Sequence, residues 1–489
     1  MIAPLHAQPN NAQDNQPQFS DKDVTSAVEE RFTFDNSIPW ALVDVKTDQG
    51  VVTLTGTVDN LLAKERATKL AEATKGVRSV VNRLQVQTPQ RSDAEIRADV
   101  ENALILDAAA DGYEIKPSVQ GGVVTLNGTV QSFQEQSLAE HLAKGVRGVK
   151  DVKNDITVKF KSSRPDTEIA ADAKRALDVD VWVDASKVSV TANSGKVSLT
   201  GSVGSAAEKS RAQTLAWVSG VTGVDAKGLQ VDPTLTRNIR KAGMHVLPDD
   251  QIAKAVRDAF IYDPRVWSFN PNVDVKNGVV TLSGVVDNLK ARRAAETDAR
   301  NTYGVQRVRN HLKVRPVNPP SNDQLSQNAK AALQRDVLLD ASGINVVAYN
   351  GIVTLNGKVD SNYDKARAED VIERLNGVAR VNNRLDVTQP SLTYQHMPWD
   401  PYYSSQPNYY SYPAATAWQS DTEIRGDIED ELFWSPFVDA NQVDVSVTNG
   451  VATLTGKLDS WSEVRSAVEN AREGGARSVI NNLTVDQGS

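Results

Sequence analysis

One seven-residue phrase, written six times, constrains this chain more than any other feature. It reads G-V-V-T-L-T-G from Gly50 and G-V-V-T-L-N-G from Gly122, then G-K-V-S-L-T-G from Gly195 and G-V-V-T-L-S-G from Gly278. The last two copies are G-I-V-T-L-N-G from Gly351 and G-V-A-T-L-T-G from Gly450. Starts spaced by 72, 73, 83, 73 and 99 residues require repeated small units, not one large core. A chain of 489 residues would in any case divide into several domains.

Every copy lies in the same succession of patterns. An acidic amphipathic helix comes first, such as S-D-A-E-I-R-A-D-V-E-N-A-L from Ser92, in which Ser92 and Glu95 have capping-box spacing. An alternating strand follows (V-D-V-S-V from Val443), then a turn, then the glycine phrase as a second strand. A second helix and a closing strand, V-V-N-R-L-Q-V from Val80, complete an α-β-β-α-β unit. Asn-Gly at 277–278, 350–351 and 449–450 marks a tight hairpin turn, so Gly50, Gly122, Gly195, Gly278, Gly351 and Gly450 supply positive φ. Period-two alternation puts Val52, Leu54, Gly56 and Val58 on one buried face. On this reading Gly56, Gly128, Gly201, Gly284, Gly357 and Gly456 let a helix approach the sheet closely. The phrase is scaffolding; a phosphate loop would need glycines opening a helix rather than bracketing a strand. Asn82, Asn154, Asn310, Asn383 and Asn481 recur in the closing strand, where capping a neighbouring turn is expected. The third unit has Lys227-Gly228 there, which predicts an irregular closing strand.

The G-x-V-T-L-x-G strand, the helix after it and the G-V-x-x-V-x-N-x-L strand resemble the BON family, named for bacterial osmotic-shock and nodulation proteins. The resemblance covers 20–87, 92–159, 164–231, 249–315, 322–388 and 420–487, called units one to six below. It implies an α+β fold: a tandem array of six αββαβ domains, each with two helices on one face of a three-stranded mixed sheet. It also implies a periplasmic or envelope setting, a link to osmotic stress and anionic phospholipid as partner. Residues 1–19 read as a tail, 232–248 and 389–419 as linkers. Leu5-His6-Ala7 before a Gln/Asn-rich stretch looks like the end of a secretory cleavage site, so a signal peptide is expected to precede this numbering.

No enzymatic constellation stands out. Zero cysteines remove thiolate chemistry and disulfides, and the five histidines share no repeat position or metal spacing. No metal or cofactor is expected. A net charge of -8 argues against nucleic acid as partner. Charge is unevenly spread: unit four has 8 acids and 12 bases, and unit six has 13 acids and 5 bases. Arg237, Arg240 and Lys241 in the linker, with Lys290, Arg292, Arg293, Arg300, Arg307 and Arg309 in unit four, are the candidates for meeting an anionic lipid surface. The 389–419 linker concentrates Trp399, Tyr402, Tyr403, Tyr409, Tyr410, Tyr412 and Trp418, candidates for docking a partner. The expected function is a non-enzymatic envelope protein on anionic phospholipid; the alternative is a structural protein that assembles into homo-oligomeric rings or filaments.

Overall fold

The computed structural model describes residues 19–33, 35, 37–110, 114–160, 163–235, 247–266, 269–388, 420–476 and 478–485. Each unit builds the expected α+β element. In unit two, helices Asp93–Leu106 and Phe133–Lys144 cover one face of strands Glu114–Gln120, Val123–Val130 and Asp151–Val158. The glycine phrase is the central strand, antiparallel to the first and parallel to the third. Its Val124, Leu126 and Val130 are buried, because alternate residues face the helices. Six separate cores result, each dominated by the residues of one unit.

The hairpin turn has a device that the glycines did not announce. Asp21, the first residue of helix Asp21–Thr33, accepts hydrogen bonds from the N–H groups of Gln49 and Gly50, both at 2.8 Å. Those two residues have φ of 50° and 74°, the left-handed pair of a tight hairpin. Asp93, Asp166, Asp249 and Asp421 hold their own turns in the same way, fixing helix start to strand reversal.

The later glycine has a different reason from the one expected. A Cβ at Gly56, Gly201 or Gly456 would lie 2.1, 2.0 or 2.0 Å from the carbonyl oxygen of Leu42, Lys187 or Gln442. The obstacle is therefore the last residue of the short 3-10 turn that leads into the neighbouring first strand, not one of the two packed α-helices. Gly284 has no such neighbour within 3.8 Å, and its strand breaks there into Val279–Ser283 and Val285–Val286. The recurrent asparagines tie the closing strand to the second helix: Asn82 Nδ2 donates to Lys64 O at 2.8 Å, and its Oδ1 accepts from Leu84 N at 3.0 Å. Asn154, Asn310 and Asn383 repeat both bonds. In unit three the asparagine is missing, and the closing strand slips register between Asp225 and Gly228, as expected.

The units are not loose beads. The start of one second helix meets the end of the next, carrying a side chain across: Leu61 of unit one joins the core of unit two, Ala206 of unit three that of unit one, and Leu289 of unit four that of unit five. Between units two and three, Phe133 stacks on Trp217 with ring centroids 3.8 Å apart. Units one, two and three thereby close head to tail. In the other half, unit four meets unit five through Lys290 and Asp370, and unit six meets unit four through Arg465, which donates to Arg300 O at 2.9 Å.

A second kind of contact joins the halves. Asn376 N donates to Leu106 O at 3.2 Å while Arg147 N donates to Arg335 O at 2.9 Å, so units two and five exchange equivalent bonds. The same backbone clasp joins unit three to four (Tyr303 N to Val179 O, 2.6 Å) and unit one to six (Lys75 N to Trp434 O, 3.3 Å). The contacts thus close units one, two and three head to tail, join five to four and four to six, and pair the halves one–six, two–five and three–four. Helix ends make these contacts, and the sheets turn their bare faces outward.

Candidate functional site

The bare sheet face of unit four carries the most charge. Its closing strand runs Arg307–Asn310 and Lys313–Val314, and alternation places Arg307, Arg309, His311, Lys313 and Arg315 on the exposed side. Lys276, on the first strand of the same sheet, is exposed too. Pairing sets Val279 beside Arg307, Thr281 beside Arg309 and Val285 beside Lys313, so the bases line one edge of a small, otherwise neutral surface. Among the described residues Arg307, Arg309, Lys313 and Arg315 have no carboxylate within ion-pair distance. Asp274 is the one acid on that face.

The equivalent strand of unit six presents Ser478, Ile480, Asn482 and Thr484, and that of unit two Asp151, Lys153, Asp155 and Thr157. A dense unpaired cationic row is thus a property of unit four, not of the repeat.

Four of the other bases proposed to face a lipid surface have partners inside the chain. Lys290 is turned into the contact with unit five and pairs with Asp370 at 2.5 Å; each side chain is 12% exposed. Arg293 pairs with Glu369 at 3.0 Å and with Glu373 across the same boundary. Arg292 is half-buried and lies across its own closing strand at Asn310 O. Arg300 pairs with Glu296, and its carbonyl receives Arg465. These four were expected outside because they share a helix rich in bases; Lys290 and Arg293 instead meet unit five, while Arg292 and Arg300 turn their side chains onto their own unit. Arg237, Arg240 and Lys241 lie outside the described residues, as do Trp399, Tyr402, Tyr403, Tyr409, Tyr410, Tyr412 and Trp418. The aromatic residues before the first strands divide: Trp40 is exposed, whereas Trp182 is buried against Phe437 of unit six.

Buried charge concentrates where units meet. In units one, three and five an aspartate after the first helix pairs with an arginine of the second: Asp35 with Arg66, Asp180 with Arg211, and Asp336 with Arg367. Units two, four and six have Leu138, Ala294 and Ser466 at the arginine position. Asp107 of unit two therefore has no partner of this kind in its own unit; burial raises its carboxyl, opposed by Arg374, Lys290 and Arg265 from units five and four. Burial pushes Lys290 down to about 8, against the pull of Asp370. His141 stands well below its ordinary value of 6.5, because burial first, then Arg374, Arg367 and Lys144, disfavours the imidazolium. No group of three or more metal-ligating side chains occurs among the described residues, and no described helix is long and apolar enough to cross a membrane.

Six αββαβ units, each with two helices on a three-stranded mixed sheet, define a tandem-repeat α+β protein. The BON domain family model matches residues 20–88, 92–159, 165–233, 248–316, 321–389 and 420–487, and the chain belongs to that family. It is similar to osmotically-inducible protein Y of Escherichia coli, 34% identical over 148 residues, or 29% of this chain and 74% of that protein. Outer membrane lipoprotein DolP of Haemophilus influenzae is 33% identical over 138 residues, 27% of this chain and 71% of that protein. The C-terminal domain of CdsD, a structural protein of the type III secretion system of Chlamydia trachomatis, aligns with 44% of this chain and 100% of that one at 17% identity. Its TM-score of 0.12 is too low to relate the two arrangements.

Proposed function

We propose that this protein is a non-catalytic envelope component that docks on anionic phospholipid through the outer sheet face of unit four. The unpaired row of Arg307, Arg309, Lys313 and Arg315 carries this reading. Bases near an anionic leaflet contribute roughly 1 kcal/mol each, so four on one face suffice for reversible, salt-sensitive binding. The two named relatives support the setting: one is induced osmotically and the other is an outer membrane lipoprotein. The alternative, assembly of copies through the repeated domains, is less favoured, because the described helix ends engage other units of the same chain.

Co-sedimentation with phosphatidylglycerol and phosphatidylcholine vesicles across a salt series tests the proposal. Binding is expected only with the anionic lipid, weakening as salt rises. Equal binding to both lipids, or affinity indifferent to salt, would overturn it.

A further inference from the structure

The contact between units two and five forms a cavity of about 60 Å³ that opens to solvent. Its walls come in equivalent pairs from the two units, Ala103 with Ala332, Leu142 with Val371 and Val146 with Leu375, because the clasp is reciprocal. Its polar groups match only in part: Asp107 of unit two and Asp336 of unit five are equivalent, but unit five adds Arg335, Arg367 and Arg374, and unit two adds His141.

Arg335 is the anomaly. It is 9% exposed, lines the cavity, and its guanidinium makes no hydrogen bond or ion pair among the described residues. Asp99, Asp336 and Asp107 act on it only through space, and Asp336 is already bound by Arg367 at 2.7 Å. Arg374 adds a second unmet donor: its Nη2 reaches Asp370 at 2.8 Å, while its Nε is buried without a partner. A guanidinium keeps its charge in proteins; Arg374 Nε is buried without an acceptor, and Arg335, whose nitrogens keep contact with solvent, lines the cavity with donors that no described residue accepts. Arg335, Arg367, Arg374 and Lys290 lie near Asp99, Asp336 and Asp370, with Asp107 as a fourth acid that burial drives toward its neutral form.

We propose that this cavity binds a small inorganic oxyanion of the phosphate or sulfate class, held by the Arg335 guanidinium between units two and five. Planar guanidinium donors match tetrahedral oxyanions in two-point contact, which a lone water could not satisfy. Filling the cavity would brace the clasp between units two and five, a role separate from that of the outer face of unit four.

Equilibrium dialysis of the full chain against labelled inorganic phosphate, in constant excess chloride, is the test. Saturable binding of one phosphate per chain is expected, competed by sulfate and weakened at least tenfold in Arg335→Met. Thermal unfolding should show the same dependence, rising with phosphate in the parent and flat in the variant. Arg335 makes no side-chain bond to lose, and Arg335→Lys gives a charged second variant in case the methionine form is unstable. Arg307→Gln with Arg309→Gln should leave phosphate binding unchanged, which separates this site from the lipid face. Absence of saturable binding by the parent chain, or equal affinity in both Arg335 variants and the parent, would overturn the proposal.

Discussion

Unit four carries two sets of bases, and the structure uses them in opposite ways. On its second helix, Lys290 and Arg293 are enclosed and paired with Asp370, Glu369 and Glu373 of unit five. On its closing strand, Arg307, Arg309, Lys313 and Arg315 lie in the open with no acid in ion-pair reach among the described residues. Each base of either set raises the unit's net charge by one, yet only the second set can meet an external partner. Charge density alone does not mark a binding surface; absence of an internal partner does.

Substitutions that treat the two sets alike should separate them. Arg293→Met leaves the buried Glu373 carboxylate without its ion-pair partner at the four–five contact. About 3–5 kcal/mol of stability is expected to disappear in denaturant unfolding, with vesicle binding by the folded fraction unchanged. The quadruple change of Arg307, Arg309, Lys313 and Arg315 to Gln should do the reverse. Stability should shift by less than about 0.5 kcal/mol per site, while affinity for anionic vesicles falls at least a hundredfold, following roughly 1 kcal/mol per base. If the helix variant loses lipid binding and the strand variant keeps it, the contrast drawn here is inverted.

The glycine strands offer a smaller comparison. Gly201→Ala would drive a methyl into Lys187 O, whereas Gly284→Ala meets nothing closer than 3.8 Å. Both have positive φ, so backbone strain is common to the pair and the clash is the difference. Gly201→Ala should be the more destabilising by about 1–3 kcal/mol in urea melts. Finally, His141 is held neutral in the folded state. The unfolded chain takes up its proton as pH falls through the ordinary value of 6.5 and the folded chain does not, so stability present above that pH declines below it. The slope contributed is at most about 1.4 kcal/mol per pH unit, and His141→Gln should flatten it in melts recorded from neutral to mildly acidic pH.

Much of the fold was legible in advance because its causes are local. The Asn-Gly turns, the alternation of Val52, Leu54 and Val58, and the Ser92–Glu95 cap depend on neighbours a few residues away. The missed features span longer separations. Asp21 bonds to a turn 28 and 29 residues on, though its recurrence at Asp93, Asp166, Asp249 and Asp421 was a signal open to reading. Lys290 meets Asp370 across 80 residues, and nothing in the helix pattern distinguishes it from a solvated lysine. Arg335 is harder still: it ends an ordinary helix, and only the cavity reveals that it stands alone.

The mirror-image order of the clasps governs how the molecule can be made. Partners one–six, two–five and three–four nest like matched brackets, so the chain folds back once and no strand or helix must thread a closed loop. A ribosome releases the first three units before the fourth exists, giving the leading trio time to shut into a platform. Each later arrival then finds its counterpart already formed, the nearest first and the most distant last. Docking of unit six beside unit one sets Phe19 against Phe433 and Trp434, so the last clasp to form also fixes the entry to the first helix.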